Sequence, residues 1–290
     1  MTFLQGLFLG IVQGLAEFLP ISSSGHLSLF QHLFGLEAES NLFITVMMHV
    51  GTLAAVFIVY YKVILKLIKE FCLSIRDICI GKFSFKEMNR YRRMMVMIII
   101  STALLVFMVL PVFGGYSLKD GAEAINNSKS IVPLGFAFII TGIFLVMTFK
   151  ITATYKKTRN GAKVKDALII GGAQCVATIS GISRSGSTVC AGLLCGLNRE
   201  YMVEYSFIMS IPVIIASALS EGKAAYDSGI NVEMAPLIAG IIAALISGIA
   251  AIKLIQWLIK TDRYKFFGYY CLVLGALTLV LGIFGVGYIA

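Results

Sequence analysis

The sequence predicts an all-α polytopic membrane protein: six transmembrane helices plus two re-entrant helical hairpins, arranged as an inverted-topology repeat. Three observations predict it. First, 58% of the 290 residues are hydrophobic, only 13% are charged, and the mean hydropathy is +0.90. An ordinary soluble domain carries about 25% charged residues, and a chain of this size cannot hide so much apolar surface in its own interior. A soluble globular enzyme, a disordered chain and a fibre are thereby excluded. Second, six stretches are long enough and sufficiently free of charge to cross a bilayer, which takes about 20 apolar residues. Third, two further apolar segments are each broken by small polar residues, and they are copies of one another.

In chain order, the first broken segment is Met1–Leu36, interrupted at Pro20-Ile21-Ser22-Ser23-Ser24-Gly25. Spans are expected at Leu42–Tyr61, Met94–Val112 and Ile131–Phe149. The second broken segment, Ala167–Leu197, is interrupted at Ser180-Gly181-Ile182-Ser183-Arg184-Ser185-Gly186-Ser187. Spans at Tyr205–Ser220, Ala235–Ile252 and Phe266–Ala290 follow. Tyr205–Ser220 is slightly short and contains Pro212, which predicts a kink or an extension at its ends. The whole reads as a single membrane domain, 1–290, whose halves run from about 1 to 150 and from 151 to 290.

Loop charge orients the spans. Lys62–Arg93 holds nine basic and three acidic residues, Lys150–Asp166 six and one, and Lys253–Lys265 four and one. Phe113–Ser130 has two of each, and Glu221–Met234 one basic against three acidic. The three basic loops are expected in the cytoplasm. In a soluble protein the net charge of +9 would suggest nucleic acid. Here it lies in short runs between spans, facing anionic lipid, and no nucleic-acid partner is expected. The six cysteines show no CxxC spacing and read as small packing residues. The first Lys or Arg is Lys62, so no cleaved signal peptide is expected.

Alternating through six spans leaves each broken segment starting and ending on one side, the first outside and the second inside. Non-helical backbone at membrane depth survives only when buried in protein or lining a wet cavity. A shift of 161 residues superposes Gly10, Gln13, Ile21, Ser22, Ser24 and Gly25 on Gly171, Gln174, Ile182, Ser183, Ser185 and Gly186. Opposite entry sides and three spans after each copy are what an inverted repeat requires.

Chemistry concentrates in these copies. Glu17 is the only carboxylate at membrane depth in the first, and Arg184 the only basic residue in the second. Each costs roughly 2.5–3.5 kcal/mol to insert. A structural ion pair accounts for the two charges but not for the donors around them: Ser22, Ser23, Ser24, His26, Ser183, Ser185, Ser187 and Thr188. Gln13 and Glu17, spaced i, i+4, share a helical face and offer hard oxygen donors to Mg²⁺ or Ca²⁺. So small a donor set must be completed by substrate phosphate. Arg184 presents the planar fork that binds phosphate bidentately. Gly181 and Gly186 let backbone amides turn toward an anion at a helix start. Cation, guanidinium and amide nest describe a phosphoryl-transfer site. A hydroxyl becomes nucleophilic with a base in reach, and both Glu17 and His26 lie within a few residues of Ser23. Ser23 attack, direct attack by His26 and metal-activated water all stay open. A helix N-cap accounts for one serine of Ser22–Ser24 but not three. His49, in mid-span, is expected to pack or to bond its own helix. His32 carries no assignment, and Trp257 reads as an interfacial anchor.

These residues resemble the undecaprenyl-diphosphate phosphatase family of the bacitracin-resistance type. Its first signature, (E/Q)-x-x-x-E then F-L-P-[IV]-S-S-[ST]-G-H, reads here from Gln13 through Glu17 and Pro20 to His26. The second, P-G-x-S-R-S-G-x-T, reads Ser180 to Thr188, with Ser180 in place of the proline. His49-Val50-Gly51-Thr52-Leu53, Gly192-Leu193-Leu194 and Asn198-Arg199-Glu200 extend the likeness over most of the chain. The resemblance implies hydrolysis of undecaprenyl diphosphate to undecaprenyl phosphate and orthophosphate in a bacterial plasma membrane, recycling the cell-wall lipid carrier and lowering the pool that bacitracin sequesters. Carried over by position, Glu17, Ser23, His26 and Arg184 are the catalytic residues, and Ser183 and Thr188 bind phosphate. Ser22, Ser24 and Ser185 join them as donors. A site open to the external face is expected, and a homodimer is left open. The inverted repeat and broken helices also suit a secondary transporter or flippase, which would bind an anionic lipid without consuming it.

Overall fold

The computed structural model describes residues 2–34, 38–85, 87–113, 116–126, 128, 130–152, 159–227 and 233–285. Its helices are α1 (Phe3–Phe18), α2 (Ser23–Phe34), α3 (Ala38–Cys79), α4 (Arg90–Val109), α5 (Leu118–Asn126), α6 (Val132–Thr152), α7 (Val164–Val176), α8 (Arg184–Leu194), α9 (Arg199–Asp227), α10 (Met234–Leu258) and α11 (Phe266–Ile283). A small antiparallel hairpin, Pro111–Phe113 with Tyr116–Ser117, interrupts the helical order after α4. Among the described residues, six helices are long and apolar enough to cross a membrane: α3, α4, α6, α9, α10 and α11. The protein is a multi-pass helical membrane protein. Each broken segment is a helix–turn–helix, α1–α2 and α7–α8.

Two spans outrun their expected bounds the furthest. The short stretch around Pro212 grows at both ends into the 29 residues of α9. The basic stretch from Lys62 is no loop at first: α3 continues through it to Cys79, past a break at Tyr60 (φ −105°, ψ 18°). Ile64 and Leu67 give this extension a buried stripe. Arg92 at the start of α4 clasps it with bonds to Glu70 (2.9 Å) and Asp77 (2.8 Å). The last five residues of the expected span 266–290, and basic residues 156 and 157, lie outside the described residues.

Glycines set the packing around the broken segments. α1 lies along α10 so closely that a Cβ on Gly10 would stand 2.1 Å from the Gly240 carbonyl oxygen. α7 lies as closely along α4, where a Cβ on Gly171 would stand 2.6 Å from the Ser101 carbonyl oxygen. Small residues at such crossings let backbones approach where apolar side chains have no hydrophobic gain over lipid. The largest buried cluster joins the end of α1 to α3, α8 and α9 through Phe18, Val56, Val189 and Phe207. Phe18 meets Phe207 edge-on at 5.1 Å.

The two turns touch. A Cβ on Gly25 would lie 2.9 Å from the Gly181 Cα, and Ser185 Oγ donates to the Leu19 carbonyl at 3.3 Å. Glu17, which ends α1 but for one residue, and Arg184, which opens α8, are thereby brought to one place.

Candidate active site

Pro20 cannot continue α1, and the chain reverses through Ser22, which holds a left-handed φ of 70°. α2 starts at once. Ser22 Oγ accepts the Gly25 amide (3.3 Å), and the Ser22 carbonyl accepts the His26 amide (3.1 Å). In the second turn, Gly181 holds φ 94° and Ser183 caps α8 by accepting the Gly186 amide at 3.1 Å. Thr141 of α6 steadies that turn from the side: its hydroxyl donates to the Gly181 carbonyl (3.0 Å) and accepts the Ser183 amide (3.1 Å).

Glu17 is the hub. Its buried carboxylate receives Ser23 Oγ at 2.6 Å and Gln13 Nε2 at 3.0 Å, both on Oε2. Arg184 Nη2 donates to Oε1. The intramembrane charges of the two broken segments, Glu17 and Arg184, are thus in direct contact. The second arm of Arg184, Nη1, donates to the Ser206 carbonyl at 3.2 Å. Ser206 Oγ lies 2.7 Å from Thr188 Oγ1. A buried carboxylate taken from water costs several kcal/mol, and a partner of this kind offsets that cost.

His49 is corrected: it does not merely pack, because its Nε2 stands 3.3 Å from Glu17 Oε2. No local signal in the sequence could have shown this, since His49 comes from a different helix.

His26 takes a different place from the cluster. Its Nδ1 is 2.8 Å from the Ser22 carbonyl. A carbonyl only accepts, so Nδ1 carries the proton and Nε2 is the acceptor in the neutral ring. Nε2 receives the Tyr270 hydroxyl at 2.7 Å, with the two rings 9° from parallel. The two bases expected near Ser23 are thus separated. Glu17 is in contact with Ser23, and His26 faces α11. Ser24 Oγ lies 3.4 Å from Ser22 Oγ, and Ser183 Oγ 3.3 Å from Ser185 Oγ. The structure therefore brings Gln13, Glu17, Ser23 and Arg184 together, adds His49 and Ser206, and ranges the remaining serines and Thr188 around the two helix starts.

A family model described as bacitracin resistance protein BacA matches residues 6–277. The chain belongs to that family. Among curated relatives, an undecaprenyl-diphosphatase of Alkaliphilus metalliredigens is 37% identical over 98% of this chain and 100% of its own length. One of Methanosphaera stadtmanae is 39% identical over 97% and 98%. Undecaprenyl-diphosphatase 3 of Bacillus cereus is 37% identical over the same shares, 97% and 98%. Among the described residues, no group of three or more His, Cys, Asp or Glu could hold a metal ion. What the site does hold is one buried amide oxygen, Gln13 Oε1, with no hydrogen-bond partner. With the Glu17 carboxylate it makes a two-donor set of hard oxygens. That set suits a cation only when a substrate supplies further ligands.

Proposed function

We propose that this BacA-family chain hydrolyses undecaprenyl diphosphate to undecaprenyl phosphate and orthophosphate, with Ser23 as nucleophile and Glu17 as its proton acceptor. The observation that carries the reading is the 2.6 Å bond from Ser23 Oγ to the buried Glu17 Oε2, in a part-buried cluster that also holds the Arg184 guanidinium. Ser23 Oγ attacks the terminal phosphorus as its proton passes to Glu17. The bond to the bridging oxygen breaks, and the lipid monophosphate leaves. Water then cleaves the phosphoseryl ester, orthophosphate departs, and the serine recovers its proton. Arg184, anchored on Glu17 and the Ser206 carbonyl, turns its remaining N–H groups to the non-bridging oxygens where charge develops. Ser185 and Thr188, at the start of α8, are assigned as further donors to the same anion. Gln13 Oε1 and Glu17 would hold a Mg²⁺ or Ca²⁺ ion completed by the substrate phosphate. When bound, that ion neutralises diphosphate charge.

Both helix–turn–helix segments are read as re-entrant, the first entering from outside and the second from the cytoplasm. The charge of the loops supports this, as does the pairing of α1 with α10 and of α7 with α4. The diphosphate head then enters from the external face while the isoprenoid tail stays among the spans, anchored by about 0.8 kcal/mol per buried CH₂. Purified protein in detergent, given the lipid diphosphate and Mg²⁺, is expected to release orthophosphate and to lose that activity in Arg184→Ala. Binding without release would identify a transporter and overturn the proposal. An acid-stable phosphoserine on Ser23 is expected in rapid-quench samples, whereas an acid-labile adduct would move the attack to His26. A cysteine replacing Ser24 in a cysteine-free background is expected to react with an impermeant thiol reagent from outside.

A further inference from the structure

We infer that Asn126, at the end of α5, is a positioning residue for Arg184. It acts by clasping the turn that precedes α8. The turn runs from Ile179 to Ile182, closed by the Ile182 amide on the Ile179 carbonyl at 3.1 Å. Gly181 as its third residue has φ 94°, the type II arrangement. In such a turn the second position is the one that proline pre-sets, because its ring locks φ near −65°. Here that position is Ser180, which has no such lock but does have an amide hydrogen. Asn126 uses it. Ser180 N–H donates to Asn126 Oδ1 at 2.7 Å, and Asn126 Nδ2 donates to the Thr178 carbonyl at 3.1 Å. One planar amide thus spans two backbone groups of the turn. It replaces a covalent restraint with a pair of hydrogen bonds from the α4–α6 connection.

What the clasp holds follows directly along the chain. Gly181 abuts Gly25 of the other turn and receives Thr141 on its carbonyl. Ser183 caps α8, and Arg184 is the next residue. Releasing Ser180 lets the turn, and with it the start of α8, leave the position in which Arg184 reaches Glu17. Asn126 itself touches none of the reacting groups, so its influence on the reaction passes through the backbone of the turn.

This inference rests on Arg184 acting on the phosphate, and the test separates the two. Asn126→Ala is expected to lower kcat about three- to tenfold, the range a net hydrogen bond or two supplies. KM for the lipid diphosphate should change little, since the isoprenoid contacts are untouched. Hydrogen exchange of the 178–183 amides is expected to speed up. Adding Ser180→Pro to Asn126→Ala is expected to restore both kcat and slow exchange, because proline supplies the same φ without the clasp. A merely structural role for Asn126 would not be rescued in this way. Should Ser180→Pro lower the yield of folded protein, Asn126→Asp keeps the acceptor for Ser180 and is expected to lose less kcat than Asn126→Ala. Unchanged kcat and exchange in Asn126→Ala would overturn the inference. So would equal losses in the Ala and Asp variants, or a folded double variant that is not rescued. An active Arg184→Ala would remove the phosphate role of Arg184, while the exchange readout would still report on the clasp.

Discussion

The two helix–turn–helix segments share a sequence pattern and a capping device but carry opposite chemistry. Ser22 and Ser183 are matched positions, and each accepts the amide of a glycine three residues on, Gly25 and Gly186. The next residue, the first of the new helix, is Ser23 in one and Arg184 in the other. Both side chains reach the same carboxylate, Glu17. That carboxylate has no matched acid: Glu17 aligns with Thr178 in the second segment. Gln13 of the first segment bonds Glu17, whereas its counterpart Gln174 is buried with both amide atoms unpartnered. Two segments of one pattern thus bring a hydroxyl and a guanidinium to one carboxylate by differing at the residue after the cap. The acid came from one copy alone.

The largest effect should follow from breaking that asymmetry. Glu17→Gln removes the proposed proton acceptor and leaves the half-buried Arg184 guanidinium without its counter-charge. A fall in kcat/KM on the order of 10³-fold is expected in a phosphate-release assay, within the range for a general base. Arg184→Ala should lose a comparable amount, and the double variant little more than either single, because the two act as one unit. Strictly additive losses would mean that they act separately.

The glutamine pair should separate next. Gln13→Leu removes a donor to Glu17 and the unpaired oxygen suited to a cation, so activity should fall about tenfold or more and become less sensitive to added Mg²⁺. Gln174→Leu replaces an unsatisfied buried amide by an apolar group of similar size. Activity should hold, with stability unchanged or higher by about 1 kcal/mol. Excess chelator is expected to abolish turnover of the unaltered protein, and full activity in chelator would remove the cation from the proposal. Equal losses in the two leucine variants would show that the copies are more alike in function than their partners suggest.

His49 tests how the first segment alone is supported. His49→Leu takes away a contact to Glu17 Oε2, whereas His49→Gln keeps an N–H donor of similar reach. A loss of about tenfold in the leucine variant and a smaller one in the glutamine variant are expected, about the worth of one hydrogen bond to a charged group.

What the sequence made legible was local. The six spans, the two broken segments and the intramembrane charges all stand out. Membrane insertion penalises Glu17 and Arg184, and a repeat of glycines, glutamines and serines survives a simple shift. What it hid is set by distance along the chain. His26 finds Tyr270 at a separation of 244 residues, and nothing near either marks the pair. His49 is one polar residue in an apolar span, and only the packing of α3 beside α1 makes it a neighbour of Glu17. The charges of Lys62–Arg93 were legible as a basic stretch. That they lie partly on a continuing helix depends on Arg92 returning to Glu70 and Asp77. Ser180 was visible as a departure from the signature, but its partner Asn126 was not, because 54 residues separate them.

The smallest expected effect concerns how the two turns reverse the chain. The second places glycine in its left-handed position, Gly181 at φ 94°, where no Cβ opposes it. The first places a serine there, Ser22 at φ 70°, and a side chain in that region costs about 1–2 kcal/mol. Ser22 offsets part of that cost through its hydroxyl, which caps the Gly25 amide. Ser22→Ala and Ser22→Gly both lose the cap, and they differ in whether a Cβ remains. Glycine also loses more conformational freedom on folding, by roughly 0.5–1 kcal/mol relative to alanine, wherever the backbone is not left-handed. The left-handed penalty is the larger of the two, so Ser22→Gly should be the more stable variant, by about 1 kcal/mol in reversible denaturation in detergent. At the second turn glycine should again be the more stable residue, by a wider margin, with Gly181→Ala destabilising through φ and through collision with Ala137, which lies 2.6 Å from where a Cβ would stand. Ser22→Ala as stable as Ser22→Gly, or more stable, would mean that the first turn relaxes out of the left-handed region once its cap is gone, leaving the cap hydroxyl to hold Ser22 there.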